Sequence, residues 1–109
     1  MAKYVLIYSG GVTPESEEEQ AAVLEAWGAW YGALGASVVD GGNPFMPYGK
    51  TIAGDGSVRN VDPDYLASGY TIIEAANLDE AVEKGRGCPI LQSGGLVHVF
   101  ETYEVASPE

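Results

Sequence analysis

The strongest constraint on the fold is the stretch of residues 69–89, GYTIIEAANLDEAVEKGRGCP, which carries the signals of a β-strand followed by an α-helix. Residues 70–75 are mostly aromatic and branched residues of the kind that favour strands. Asn77 stands where a helix N-cap is needed, and acidic residues follow it in the first turn. Basic residues later in the segment, and Gly87 before Pro89, predict where this helix ends.

The first third of the chain predicts another strand and helix. Residues 3–9 are apolar at consecutive rather than alternate positions, which indicates a strand buried on both faces. Thr13 is the predicted N-cap of the helix, with Pro14 at the first helical position and glutamates in the opening turns. The helix is expected to run to Leu34 and to end at Gly35. Its apolar stripe has helical spacing and consists of Val23, Trp27, Tyr31 and Leu34, with Leu24 beside it.

The middle of the chain predicts short strands separated by turns. Residues 36–40 (ASVVD) predict a second strand that ends at a pair of glycines. Residues 50–53 and 57–61 flank Gly54-Asp55-Gly56, a turn sequence that favours a hairpin. Residues 62–68 are expected to form a loop before the strand-helix unit.

The order of the elements predicts the fold class. Residues 96–105 (LVHVFETYEV) form the last predicted strand, and no internal repeat interrupts the chain. The order β-α-β-hairpin-β-α-β favours one α+β domain over residues 1–109. We expect a sandwich in which an antiparallel sheet of four or five strands carries two helices on one face.

Composition excludes several classes of partner. Hydrophobic residues make up 46% of the chain, and 16 acidic residues outnumber five basic ones, which gives a net charge of −11. This charge disfavours nucleic acids and anionic membrane surfaces. No stretch approaches the ~20 apolar residues of a membrane span, and nothing resembles a signal peptide, so we expect a cytoplasmic protein. A single cysteine, Cys88, permits no intramolecular disulfide.

The predicted sheet has more apolar surface than two helices can cover. The segments YVLIY and YTIIEA offer apolar side chains to both faces of the sheet. An uncovered face would expose a larger apolar patch than monomers normally tolerate. A closed two-fold pairing is the commonest solution, so we expect a homodimer through the sheet.

Four segments together resemble the YCII-related family of small α+β proteins: ASVVDGGNPF, GYTIIEAANLDEAVEKGRGCP, KYVLIYSGG and VFETYEV. The resemblance covers nearly the whole chain and implies a ferredoxin-like fold that pairs through its sheets as a dimeric α/β barrel. Some members carry a first-helix histidine proposed to act with an acidic residue. This sequence has no histidine before His98 and carries Leu24 and Trp27 in that helix. It also has DPDYLAS where a large subgroup has Asp-Gly-Pro-Phe.

Asp40 is the candidate catalytic residue. It ends the predicted second strand beside Gly41 and Gly42, where a backbone can approach a ligand closely. A carboxylate partly desolvated there would have a raised pKa and could act as a general acid or base. The alternative is that Asp40 accepts N–H groups of the following turn, as residues in Asp-Gly pairs often do.

Four further residues are candidates to line a ligand pocket at the same strand end. Asn43 could place an amide at the rim, although turn formation with Pro44 is the more common role of such a residue. Tyr8 could reach the pocket from the end of the first strand or serve as a buried, hydrogen-bonded tyrosine. Trp27 is expected to belong mainly to the core, whereas Trp30 lies partly off the stripe and could line a cleft or a subunit contact.

Three functions remain open at this stage. The chain could bind a small molecule near Asp40, act as a small lyase or isomerase that uses Asp40, or form a structural or regulatory dimer without a ligand. No His/Cys set has metal-ligand spacing and no nucleotide-binding motif is complete, so we predict neither a metal nor a cofactor. His98 and Cys88 are expected to be structural.

Overall fold

The computed structural model describes residues 1–11 and 14–105 of the chain. Within these residues the elements follow the predicted order. They are β1 Ala2–Ser9, α1 Glu17–Leu34, β2 Val38–Asp40, β3 Lys50–Ile52, β4 Val58–Asn60, β5 Ala67–Ala75, α2 Leu78–Gly85 and β6 Leu96–Glu101. Short 3-10 turns join them at Gly35–Ser37, Pro63–Tyr65 and Pro89–Ser93.

Helix α1 begins later than its sequence predicts. Ser16 is the N-cap, because its hydroxyl accepts the backbone N–H of Glu19 at 3.1 Å. The spacing of Ser16 and Glu19 matches the capping pattern in which a serine precedes a glutamate by three residues. The helix therefore starts at Glu17 and not at Pro14. The predicted cap, Thr13, lies outside the described residues.

The other helix boundaries agree closely with the predictions. Gly35 ends α1 with φ of 55°, a conformation that glycine adopts at little cost. Asn77 caps α2 by accepting the N–H of Glu80 at 2.8 Å, which confirms its predicted role. Helix α2 ends at Gly85, two residues before the predicted stop at Gly87.

The main sheet has four strands in the order β2-β5-β1-β6, and every neighbouring pair is antiparallel. Both helices pack on one face, because Trp30 of α1 and Ala81 of α2 belong to the same buried cluster as Leu6 and Ile73 of the two central strands. This is the arrangement of a ferredoxin-like sandwich, and it confirms the predicted α+β class. Burying each large apolar side chain of that cluster contributes about 1.5–3 kcal/mol.

The opposite face of the sheet is not buried within a single chain. Burial alternates along β1, so that Tyr4, Leu6 and Tyr8 are buried while Val5 and Ile7 are only half-buried. The prediction that this strand is buried on both faces is therefore wrong for one copy of the chain. The outward-facing side chains form an apolar surface, the outer sheet face, which consists of Val5, Ile7, Ile72 and Phe100.

The predicted hairpin is present as a separate two-stranded sheet. Strands β3 and β4 pair with each other, with Lys50 opposite Asn60 and Ile52 opposite Val58. The turn between them contains Gly56 at φ of 87°. Because this hairpin is separate, the main sheet has four strands instead of five. Neither helix in the described part of the chain is long and apolar enough to cross a membrane.

Candidate functional site

A cleft of about 520 Å³ opens between α1 and the end of the sheet at which β1 and β2 finish. This volume lies in the ~300–1,000 Å³ range of small-molecule sites. Among the described residues, the lining has no Asp, Glu, Lys, Arg or His side chain. Its walls are mainly aromatic, aliphatic and glycine residues, and the largest of them are Trp27, Tyr8, Tyr31, Tyr70, Leu24 and Ile90.

Two glycines allow the backbone to pack closely along one side of the cleft. A Cβ on Gly42 would overlap the carbonyl oxygen of Tyr70, and Gly42 also has φ of 73°. A Cβ on Gly69 would lie 3.1 Å from the carbonyl oxygen of Asn43 and 3.4 Å from the ring of Tyr8. The segment after β2 can therefore lie directly against β5, which places Asn43 in the lining.

A network of hydroxyl groups supports the floor of the cleft. The hydroxyl of Tyr8 donates to Thr71 Oγ1 at 2.7 Å, and Thr71 donates to the carbonyl oxygen of Gly41 at 3.1 Å. Tyr31 donates to the same carbonyl at 2.9 Å. Burial raises the pKa of the Tyr8 phenol far above its ordinary value, so this group stays protonated near neutral pH.

Aromatic rings form the wall contributed by α1. The rings of Tyr8 and Trp27 meet edge to face with centroids 5.4 Å apart, and those of Trp27 and Tyr31 are 5.9 Å apart. Such pairs contribute about 0.5–1.5 kcal/mol beyond burial alone. Trp27 is only partly buried, so it both packs on the core and lines the cleft.

Trp30 does not line the cleft. It is 6% exposed, and its indole N–H donates to the backbone carbonyl of Lys84 at 2.9 Å. That carbonyl lies in the last turn of α2, where carbonyl groups lack helical partners. Of the two tryptophans proposed for the pocket, Trp27 lines the cleft and Trp30 does not, because the helix directs Trp30 towards α2 and leaves Trp27 at its open edge.

Asp40 also lies outside the cleft lining. The pairing of β2 with β5 shifts register between Val38 and Asp40, a bulge that redirects the strand end. The Asp40 carboxylate accepts the N–H of Gly42 at 2.8 Å and the hydroxyl of Tyr70 at 3.2 Å. Its partner Tyr70 is a lining residue, but the Tyr70 side chain leaves β5 on the face opposite to Thr71. The structure therefore brings Tyr8, Trp27 and Asn43 together at the cleft, but neither Asp40 nor Trp30.

The remaining reactive side chains lie away from the cleft lining. The His98 side chain lies on the same side of the sheet as the outer sheet face, and its Nε2 is 3.0 Å from the hydroxyl oxygen of Ser9. Cys88 is buried, and burial raises the pKa of its thiol. No three His, Cys, Asp or Glu side chains come together as a possible metal site in the described ranges.

Sequence reasoning missed the role of Thr71 in the cleft. This residue is fully buried and joins the hydroxyls of Tyr8 and Tyr31 through shared partners. The available signal was a single polar side chain on the buried face of an otherwise apolar strand. A buried hydroxyl needs hydrogen-bond partners, so such a position indicates that other polar groups lie nearby.

The fold and the cleft define a ferredoxin-like α+β protein with a cleft of small-molecule size at one end of its sheet. No protein-family model matches the chain, and no curated protein matches it in sequence. Among solved structures it is similar to 5-chloro-2-hydroxyhydroquinone dehydrochlorinase (TftG) from Burkholderia phenoliruptrix AC1100, in complex with 2,5-dihydroxybenzoquinone. The TM-score is 0.56 and the identity 20%, over 94% of this chain and 95% of that chain. A likeness at this identity shows a shared fold alone.

Proposed function

We propose that this protein binds a small, neutral, planar molecule in the cleft between α1 and the end of the sheet. The observation that carries the proposal is a cavity of about 520 Å³ with aromatic walls and, among the described residues, no charged side chain in its lining. Mostly apolar pockets with a few polar groups are typical of small-molecule sites. A charged ligand would lose its hydration there without gaining an opposite charge.

The similar structure supports the size and planarity of the proposed ligand. TftG was solved with 2,5-dihydroxybenzoquinone, a small planar ring compound that bears hydroxyl and carbonyl groups. A ring of that size can stack on Trp27 and fits the cleft volume. The alternative, an acid–base enzyme that uses Asp40, gains no support from the cleft, because Asp40 is not a lining residue and its carboxylate accepts hydrogen bonds from Gly42 and Tyr70.

Replacement of Trp27 by alanine is expected to weaken binding by tenfold or more, because it removes the largest aromatic wall of the cleft. The measurement is a calorimetric titration of neutral phenols and of benzoates of matched size against wild type and variant. Asp40→Asn is the control and should bind like wild type. Binding of benzoate in preference to neutral phenols, or equal binding by wild type and W27A, would contradict the proposed site.

The proposal includes kinship with the YCII-related family and the homodimer that this kinship implies. The structural likeness supports a related fold, and the outer sheet face supports the dimer. Val5 and Ile72 are cross-strand partners near the middle of that face, and both are only half-buried in a single chain. Pairing two such faces would bury this apolar surface around a two-fold axis.

Val5→Lys and Ile72→Lys are each expected to convert the dimer into monomers, because a lysine in the centre of an apolar interface would be buried without a partner. Sedimentation velocity at micromolar concentration measures the change. Leu78→Lys on α2, where the leucine is 46% exposed, is the charge-matched control and should leave the dimer intact. A wild-type protein that sediments as a monomer would refute the homodimer.

A further inference from the structure

We infer that the cleft selects ligands that carry a hydrogen-bond donor, such as a phenolic hydroxyl, and that the hydroxyl oxygen of Tyr31 accepts this hydrogen bond. The inference rests on the proposed function and deepens it, because it assigns the polarity of the ligand and the residue that recognises it. It depends on where each hydroxyl hydrogen of the cleft is directed.

The hydrogens of the network all point into the protein. The hydroxyls of Tyr31 and Thr71 lie 3.4 Å apart, but both are closer to the carbonyl oxygen of Gly41, at 2.9 Å and 3.1 Å. A backbone carbonyl can only accept, so both hydroxyl hydrogens are assigned to that oxygen. The hydrogen of Thr71 is then unavailable to Tyr8, and Tyr8 must donate to Thr71 Oγ1. None of the three hydroxyls retains a hydrogen for a ligand.

The oxygen of Tyr31 is the acceptor left on the cleft side of this network. Tyr8 is 4% exposed and Thr71 is fully buried, whereas Tyr31 is half-buried and lines the cleft. Two donors already occupy the carbonyl of Gly41, which has two lone pairs. A ligand that reaches the network therefore meets the lone pairs of the Tyr31 phenol and needs a donor of its own.

The other polar side chains of the lining do not reverse this preference. Asn43 and Ser93 can each donate and accept, so they bind a hydroxyl or a carbonyl equally well. The Oγ of Ser68 is buried, and the hydroxyl hydrogen of Tyr70 is donated to Asp40. If a ligand has only ether or carbonyl oxygens, their lone pairs meet the lone pairs of the Tyr31 oxygen and no hydrogen bond forms. The class that fits best is a neutral hydroxylated aromatic compound.

The test compares 4-methoxyphenol with 1,4-dimethoxybenzene, which share the ring and differ by one donor. Wild type is expected to bind 4-methoxyphenol about five-fold more tightly, the typical effect of one net hydrogen bond. In Tyr31→Phe the two probes should bind equally, because the variant has no phenol oxygen to accept from 4-methoxyphenol or to repel the ether oxygens of 1,4-dimethoxybenzene. Gly41 keeps the hydrogen bond from Thr71 in this variant, so we expect it to fold, as thermal unfolding will show.

Tyr48→Phe, at a position that is 72% exposed and outside the cleft lining, is the matched control and should keep the five-fold preference. Equal binding of the two probes to wild type would overturn the inference while leaving cleft binding intact. A preference that persists in Tyr31→Phe would overturn the assignment to Tyr31. Failure of both probes to bind wild type at millimolar concentration would refute the proposed function itself, and the inference with it.

Discussion

Replacement of Trp30 by alanine is expected to lower the free energy of unfolding by about 3–5 kcal/mol, the usual loss for a buried tryptophan. Trp30 is 6% exposed and joins α1 to α2 through the hydrogen bond from its indole N–H to Lys84. The substitution removes this bond and leaves a cavity between the two helices. Because native proteins are typically stable by only ~5–15 kcal/mol, the substitution should remove a large fraction of the free energy of unfolding. Urea denaturation followed by far-UV circular dichroism measures the loss.

The matched control is Trp27→Ala on the same helix. Trp27 is only partly buried and lines the cleft, so its removal should reduce stability less than the removal of Trp30 while it weakens ligand binding. Trp30→Phe should fall between wild type and Trp30→Ala, because it keeps most of the packing and loses the indole donor. A larger loss of stability for Trp27→Ala than for Trp30→Ala would show that the two positions have been assigned incorrectly.

Gly42→Ala is expected to destabilise the protein by about 3 kcal/mol, the sum of a steric clash and backbone strain, and to disrupt the cleft. The added Cβ would overlap the backbone of Tyr70, and a backbone group cannot move aside as a flexible side chain can. The residue also has φ of 73°, which costs a side chain ~1–2 kcal/mol. Relief of the clash would require the segment after β2 to move away from β5, and this would displace Asn43 from the lining. Denaturant unfolding and titration with 4-methoxyphenol measure the two effects.

Gly56→Ala separates the steric clash from the backbone strain. Gly56 lies in the hairpin turn at φ of 87°, and a Cβ there would meet no atom within 4 Å. This variant should therefore lose only the ~1–2 kcal/mol of left-handed strain and should bind ligand like wild type. If the two glycine variants were equally stable, the close approach at Gly42 would be absent in solution.

Local signals in the sequence were sufficient to predict most of the fold. The cap at Asn77, the terminator at Gly35 and the turn around Gly56 each act within a few residues, so their effect is visible in the sequence. The start of α1 was misplaced because Thr13 with Pro14 and Ser16 with Glu19 are competing local signals. The observed cap at Ser16 satisfies the N–H of Glu19, and a single sequence does not rank such alternatives.

The candidate site was predictable only in part, because its residues depend on contacts between distant segments. Tyr8 could be proposed as a lining residue because it lies at the end of a predicted strand, and Trp27 because it belongs to an aromatic helix face. The direction of Asp40 depends on the bulge in its pairing with β5, and the bulge depends on which residues become partners. The same holds for Trp30, whose acceptor lies 54 residues further along the chain.

The sequence by itself determined the order of elements, the α+β class and the acidic, globular character of the chain, because periodicity, caps and composition are properties of neighbouring residues. Only the tertiary structure decided which tryptophan is buried, which face Asp40 occupies and where the hydroxyl hydrogens point. Each of these depends on strand register and helix rotation, which are set when segments far apart in sequence pack together. The shared acceptor at Gly41 is the clearest case, because residues of α1 and β5 donate to one carbonyl that follows β2.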